Sequence, residues 1–121
     1  MTPTAQPLAG RRVLLVEDDY FIATSLLGQF EESGARVLGP VPSVRDALAL
    51  IAASPEIDAA VLDINLQEEA VYPVADALQA RGVPFVFATG YDRTTIPAPY
   101  AAVPHCVKPV DAVQIAAALF D

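Results

Sequence analysis

The chain has one cysteine and no tryptophan, and its 7 basic residues face 15 acidic ones. A single cysteine excludes an intramolecular disulfide and a thiolate metal cluster. A net charge of −8, with no basic helix or Lys/Arg cluster, repels a phosphate backbone, so no nucleic-acid partner is expected. No apolar run approaches the ~20 residues of a membrane span. Residues 1–10 lack the basic start and apolar stretch of a secretory signal, so no membrane partner and a cytoplasmic location are expected. No glycine-rich phosphate loop is visible, which disfavours a flavodoxin-like cofactor binder. Repeats and low-complexity tracts are absent too.

What is present is apolar. Residues of hydrophobic type make up 54% of 121 positions, enough for one domain with a real core and too few for two. Residues 1–10 read as a loose lead-in, and residues 11–121 as the domain, with nothing left for an output module. Val13 to Val16 forms a first strand. Ile22, Leu26 and Phe30 then recur at helical spacing over 20–33, with Asp19 as N-cap and Gly34 as terminator. Arg36–Gly39 reads as a second strand. Ser43 caps a second helix carrying Val44, Ala47, Leu48 and Ile51, which Pro55 closes. Ala59–Leu62 is apolar on both faces, as a central parallel strand should be. A polar loop at 67–69 precedes a third helix carrying Val71, Val74, Ala75 and Leu78, with Pro73 in its first turn. Phe85–Ala88 is the fourth strand. Pro97, Pro99 and Pro104 leave at best a short or irregular fourth helix. His105–Val107 is the fifth strand, and a helix over about 110–120 ends the series. Strictly alternating strands and helices imply a parallel sheet covered on both faces.

Four of these strands end in residues suited to phosphoryl chemistry. Glu17-Asp18-Asp19 follows the first, Asp63 the third, Thr89 the fourth and Lys108-Pro109 the fifth. The C-terminal strand ends of an open parallel sheet share one edge, where ligands bind, so residues roughly 45 and 90 positions apart can meet there. Glu17, Asp18 and Asp63 carry three negative charges that raise one another's pKa. A divalent cation and the Lys108 ammonium balance them. Mg²⁺ suits such hard oxygen donors, keeps waters and reaches phosphate oxygens. Asp63, at the end of the central strand, is the candidate nucleophile, since a carboxylate can accept a phosphoryl group. Lys108 and the cation would neutralise the transferring group, and Thr89 would offer it a hydroxyl. Singly, each residue has a plainer reading as a turn, strand or surface residue. Their joint placement on one edge favours the chemical reading.

The set Val16-Glu17-Asp18-Asp19, Leu62-Asp63, Ala88-Thr89-Gly90 and Val107-Lys108-Pro109 resembles the receiver domain of two-component response regulators, over about residues 11–121. The resemblance implies a flavodoxin-like doubly wound (βα)5 fold with strand order 2-1-3-4-5. It implies that Asp63 is phosphorylated by a sensor histidine kinase or a phosphotransfer protein. Asp18 would bind Mg²⁺ (or Mn²⁺) directly and Glu17 through water, with Asp63 and the main-chain carbonyl of Asn65 completing the protein ligands. Thr89 and Lys108 match the switch hydroxyl and the phosphate-binding lysine, and a cis Lys108–Pro109 peptide is usual. Pro84 to Asp92 is similar to the Phe-Ala-Thr-Gly-Tyr (FATGUY-type) single-domain receivers, often linked to HWE-type kinases.

Three places depart from that pattern. His105 stands where most receivers have a Tyr or Phe that reports phosphorylation by rotating. Tyr91, two residues after Thr89, is an alternative regulator of access to the pocket. Gln67 and Val71 replace the usual proline and glycine after Asp63. Cys106 reads as a buried small hydrophobe. The function expected is a stand-alone phosphoacceptor and switch, or a phosphate sink, that catalyses only its own phosphorylation and dephosphorylation, as a monomer or weak homodimer. A metal-dependent phosphohydrolase would want an acid two residues after the nucleophile, where Asn65 stands. A degenerate interaction module would have no need of all five site residues.

Overall fold

The computed structural model describes residues 8–66, 69–90, 96–108 and 110–120. Its main sheet is parallel throughout, in the order β2-β1-β3-β6-β7, built from β1 (Arg12–Val16), β2 (Arg36–Val41), β3 (Ala59–Asp63), β6 (Phe85–Thr89) and β7 (His105–Val107). This is the doubly wound order 2-1-3-4-5 implied by the resemblance. Between β3 and β6 lie β4 (Asn65–Leu66) and β5 (Glu69–Ala70), a two-stranded antiparallel ladder where a polar loop was expected.

Period-two alternation divides the core. Leu14, Val16, Ala60, Leu62, Phe85 and Phe87 face α2 (Val44–Ala53) and α3 (Tyr72–Ala80). Val13, Leu15, Val61, Val86 and Ala88 face α1 (Tyr20–Glu32) and α4 (Ala112–Phe120). Every residue of β3 and β6 is buried, which is why these strands read as unbroken apolar runs. Leu8 packs into the α1–α4 layer, and Gly10 N–H donates to the Gly34 carbonyl at 2.9 Å, drawing the chain before β1 onto the core.

Local chemistry sets the helix ends. Asp19 Oδ1 accepts from the N–H groups of Phe21 (2.9 Å) and Ile22 (3.1 Å), satisfying donors left open by the first turn of α1. Gly34, at φ +86°, turns the chain out of α1 as expected. Ser43 Oγ caps Asp46 N–H at 3.1 Å. Arg81 ties the far end of α2, donating to the carbonyls of Ile51, Ser54 and Pro55 at 2.7–2.9 Å.

The expected boundaries shift in two places, while the fourth helix is as short as expected. β2 runs on to Val41, past the expected end at Gly39, because a bulge restores pairing as Val16↔Val41. The last helix begins at Ala112 rather than about 110, because Asp111 acts as its cap: Asp111 Oδ1 accepts from Gln114 N–H at 2.8 Å. The short or irregular fourth helix is a single 3-10 turn, Ala98–Tyr100, opened by Pro97.

Candidate functional site

Strand register brings the chemistry together. The pairs Val16↔Leu62 and Asp63↔Ala88 place Glu17 across from Asp63, and Thr89↔Val107 places Lys108 just beyond the same edge. The main chain fixes each ending. Glu17 N–H donates to the Val41 carbonyl at 3.0 Å, Ile64 N–H to Ala88 at 3.2 Å, and Lys108 N–H to Thr89 at 2.7 Å.

Gly39 makes the first of these contacts possible. Its φ of +102° belongs to glycine, and a Cβ there would lie 2.8 Å from the Leu15 carbonyl oxygen. The bulge it permits returns Val41 to β1 in time to hold Glu17.

The carboxylates converge as expected. Glu17, Asp18 and Asp63 each offer an oxygen, and these atoms lie within 4.8 Å of one another. Glu17 and Asp63 are buried, at 4% and 6% exposure. Asp19, by contrast, is engaged in capping α1, and its N–H donates to Glu17 Oε2 at 3.1 Å. Lys108 Nζ lies 2.9 Å from Glu17 Oε1 and 3.3 Å from Asp63 Oδ2.

The electrostatics follow from that packing. Burial, then the hydrogen bond and charge of Glu17, push the Asp63 carboxyl from 3.8 up to about 8, against the opposing pull of Lys108. Burial alone would lower the Lys108 ammonium, but Glu17 and Asp63 outweigh it and raise it. With Asp63 ionised, three carboxylates and one ammonium leave two negative charges, and all the donors are hard oxygens. The residues fit a divalent cation of the Mg²⁺ type.

The other expected residues are placed as follows. Thr89 is buried at the end of β6, and its carbonyl accepts from Lys108 N–H. Asn65 opens β4, two residues past Asp63, with its main chain paired to Ala70. His105 is exposed on β7, in register with Phe87. Val71 is buried, and its N–H donates to the Ile64 carbonyl at 3.0 Å. Cys106 is half-buried, its thiol pushed up by burial and by Asp111. Tyr91, Gln67 and Pro109, with the Lys108–Pro109 peptide, lie outside the described residues.

One group of residues beside the site was missed. Tyr72, Phe87 and Tyr100 form an aromatic cluster in which the Tyr72 and Tyr100 rings stack at 4.8 Å. The Tyr100 hydroxyl donates to Asp76 Oδ1 at 2.5 Å. Tyr100 follows Pro99 in a stretch with neither helical nor strand period, so no pattern marked it for burial. On the opposite rim, Tyr20 and Phe21 stand exposed at 75% and 82%, in edge-to-face contact.

No protein-family model matches the chain, and no curated protein matches it at the significance required. Solved structures do. SdrG from Sphingomonas melonis is 35% identical with a TM-score of 0.80, over 98% of this chain and 100% of that one. A BeF3-activated conformation of SdrG, from Pseudomonas melonis, is 38% identical with a TM-score of 0.74, over 91% and 93%. A response regulator receiver protein from Sinorhizobium medicae shares the fold at 20% identity, with a TM-score of 0.74 over 91% of both chains. With this fold, and with these relatives spanning nearly its whole length, the chain belongs to the response regulator receiver family.

Proposed function

We propose that the chain, over residues 11–121, is a phosphoryl-accepting switch whose acceptor is Asp63. The observation that carries this reading is the convergence of Glu17, Asp18 and Asp63 within 4.8 Å, with Lys108 Nζ 3.3 Å from Asp63. The BeF3-activated form of SdrG, a relative 38% identical, supports it.

An oxygen of Asp63, as the carboxylate, attacks the phosphorus of a phosphohistidine. The P–N bond breaks, the imidazole leaves with the bonding pair, and an acyl phosphate forms on Asp63. Lys108 is aimed at this carboxylate by its own N–H on Thr89 and by Glu17. Its ammonium neutralises charge on the phosphoryl oxygens. The Thr89 hydroxyl, at the end of the neighbouring strand, donates to one of those oxygens and so carries the state of Asp63 into β6. Mg²⁺, or Mn²⁺, would be held by Asp18, Asp63 and the Asn65 carbonyl, with Glu17 acting through water; when bound it supplies positive charge to the phosphoryl oxygens. His105, where an aromatic residue is usual, and Tyr91 are the further positions through which the switch would be read.

The donor is a sensor histidine kinase, of the HWE type if the Phe-Ala-Thr-Gly-Tyr resemblance of residues 87–91 extends to partners, or a phosphotransfer protein. The setting is cytoplasmic, the protein a monomer or weak homodimer, and the chemistry is confined to its own phosphorylation and dephosphorylation. Among the described residues no helix is long and apolar enough to cross a membrane.

Incubation with phosphoramidate and Mg²⁺ tests the reading. One labile adduct per chain, lost in Asp63→Ala, is the expected result. Multiple turnover of external phosphate esters would instead identify a hydrolase.

A further inference from the structure

We propose that Tyr100 and Asp76 form a lock that holds the 96–103 segment against α3 and opposes the switch at Asp63. The proposal rests on the reading of Asp63 and Thr89 given above. Phe85, Phe87 and Thr89 are alternate residues of β6 and share one face of the sheet. Phe87 lies edge-to-face with both Tyr72 (5.9 Å) and Tyr100 (6.2 Å), and Tyr72 stacks on Tyr100 at an interplanar angle of 14°. The ring pair thus sits two residues from Thr89 on its own side of the strand.

The segment carrying Tyr100 has little else to hold it. Its regular structure is one 3-10 turn opened by Pro97, and its partly buried apolar residues on the core are Ile96 and Val103. Tyr100 alone in this stretch is buried, at 8% exposure. Its hydroxyl lies 2.5 Å from Asp76 Oδ1 in the middle of α3. A phenol donating to a carboxylate is among the stronger neutral-to-charged hydrogen bonds. The hydrogen bond to Asp76, then burial, raise the Tyr100 hydroxyl, which keeps it the donor.

The state found here competes with the one that a phosphoryl group on Asp63 would favour. With Lys108 on unphosphorylated Asp63, Thr89 and the cluster stand as found. Movement of Thr89 toward a phosphoryl group displaces the end of β6, two residues from the Phe87 ring that Tyr72 and Tyr100 contact. The segment then either drags Tyr100 off Asp76 or resists. A contact present in one state and broken in the other shifts the equilibrium by its full strength.

The test measures beryllofluoride binding in the presence of Mg²⁺, with amide hydrogen exchange over 96–103, in wild type, Tyr100→Phe and Asp76→Asn. Tyr100→Phe keeps the ring and removes only the hydrogen bond; Asp76→Asn weakens it from the other side and serves if Tyr100→Phe does not fold. The expected result is binding tighter by roughly tenfold, the worth of one hydrogen bond to a charged group, with faster exchange in 96–103 before any ligand is added. Affinities equal to wild type, or weaker, overturn the lock even where thermal stability falls, since a structural tie alone would move only the latter. Wild type that fails to bind beryllofluoride at Asp63 overturns the reading of the site and the lock with it.

Discussion

The Lys108 ammonium lies 3.3 Å from Asp63 Oδ2, although β6 separates their two strands in the sheet. The contact spans that gap because Lys108 N–H is anchored on Thr89, at the end of the intervening strand, and the side chain then reaches back along the sheet edge. Glu17 Oε1 closes the arrangement at 2.9 Å from the same nitrogen. One ammonium is shared by two buried carboxylates with a third beside them. Most of the behaviour expected of this protein follows from that imbalance.

The first consequence is a pH dependence of the metal-free fold. Asp63 has a folded pKa of about 8 against an ordinary 3.8. Between those values the folded protein binds a proton that the unfolded chain has released. Its contribution to stability is complete below 3.8 and is lost as pH rises toward about 8. Lys108, also raised, starts from 10.5 and acts above this window. Thermal melts in chelator across the window are expected to show falling stability, with a flatter profile in Asp63→Asn. At the alkaline end that variant is expected to be more stable than wild type by ~1–2 kcal/mol.

Divalent cations should reverse the decline. A cation that binds only the folded form stabilises it by mass action, by about 2.7 kcal/mol at a hundred times its dissociation constant. Melts with and without Mg²⁺ at the alkaline end of the window check this. The gain is expected to shrink toward acid pH, where protons compete for Asp63, and to fall in Asp18→Asn.

Lys108→Met separates charge balance from chemistry. Without the ammonium, buried Glu17 and Asp63 lose their shared counter-charge. The metal-free protein should be less stable by ~2–3 kcal/mol, less than a fully buried pair would cost, because the Lys108 side chain is 17% exposed. Mg²⁺ affinity should rise by roughly tenfold, since a positive neighbour has been removed. Calorimetric titration reads the second effect, and a fall in affinity would contradict it.

Much of this was legible in the chain. β3 and β6 are buried on both faces and so read as unbroken apolar runs, and the residues that end them fell where the register puts them. Glu17, Asp18, Asp63 and Lys108 meet because parallel topology forces their strand ends to one edge. What escaped the sequence depends on contacts between distant segments. The extension of β2 to Val41 hinges on Gly39 fitting against the Leu15 carbonyl, which Gly-Pro alone reads as a strand end. The β4–β5 ladder is too short for any period. Burial of Tyr100 is decided by Asp76 and Tyr72, both more than twenty positions away, inside a segment that prolines made unreadable.

Gly39 offers a test of how the fold positions the site. Gly39→Ala would force a Cβ to within 2.8 Å of the Leu15 carbonyl oxygen at a φ that side chains avoid. The cost is expected to be ~2–3 kcal/mol. Because the bulge also sets the Val41 carbonyl that holds Glu17 N–H, Mg²⁺ affinity should weaken alongside stability. Chemical denaturation and a metal titration of the same sample check the two together.

The most direct measurement is the intact mass, followed by peptide mapping, of protein treated with acetyl phosphate in the presence and absence of Mg²⁺. A gain of one HPO₃ unit on the peptide containing Asp63, dependent on Mg²⁺ and missing from Asp63→Ala, is the predicted result. A gain on another residue, or none while the cation binds normally, would contradict the account.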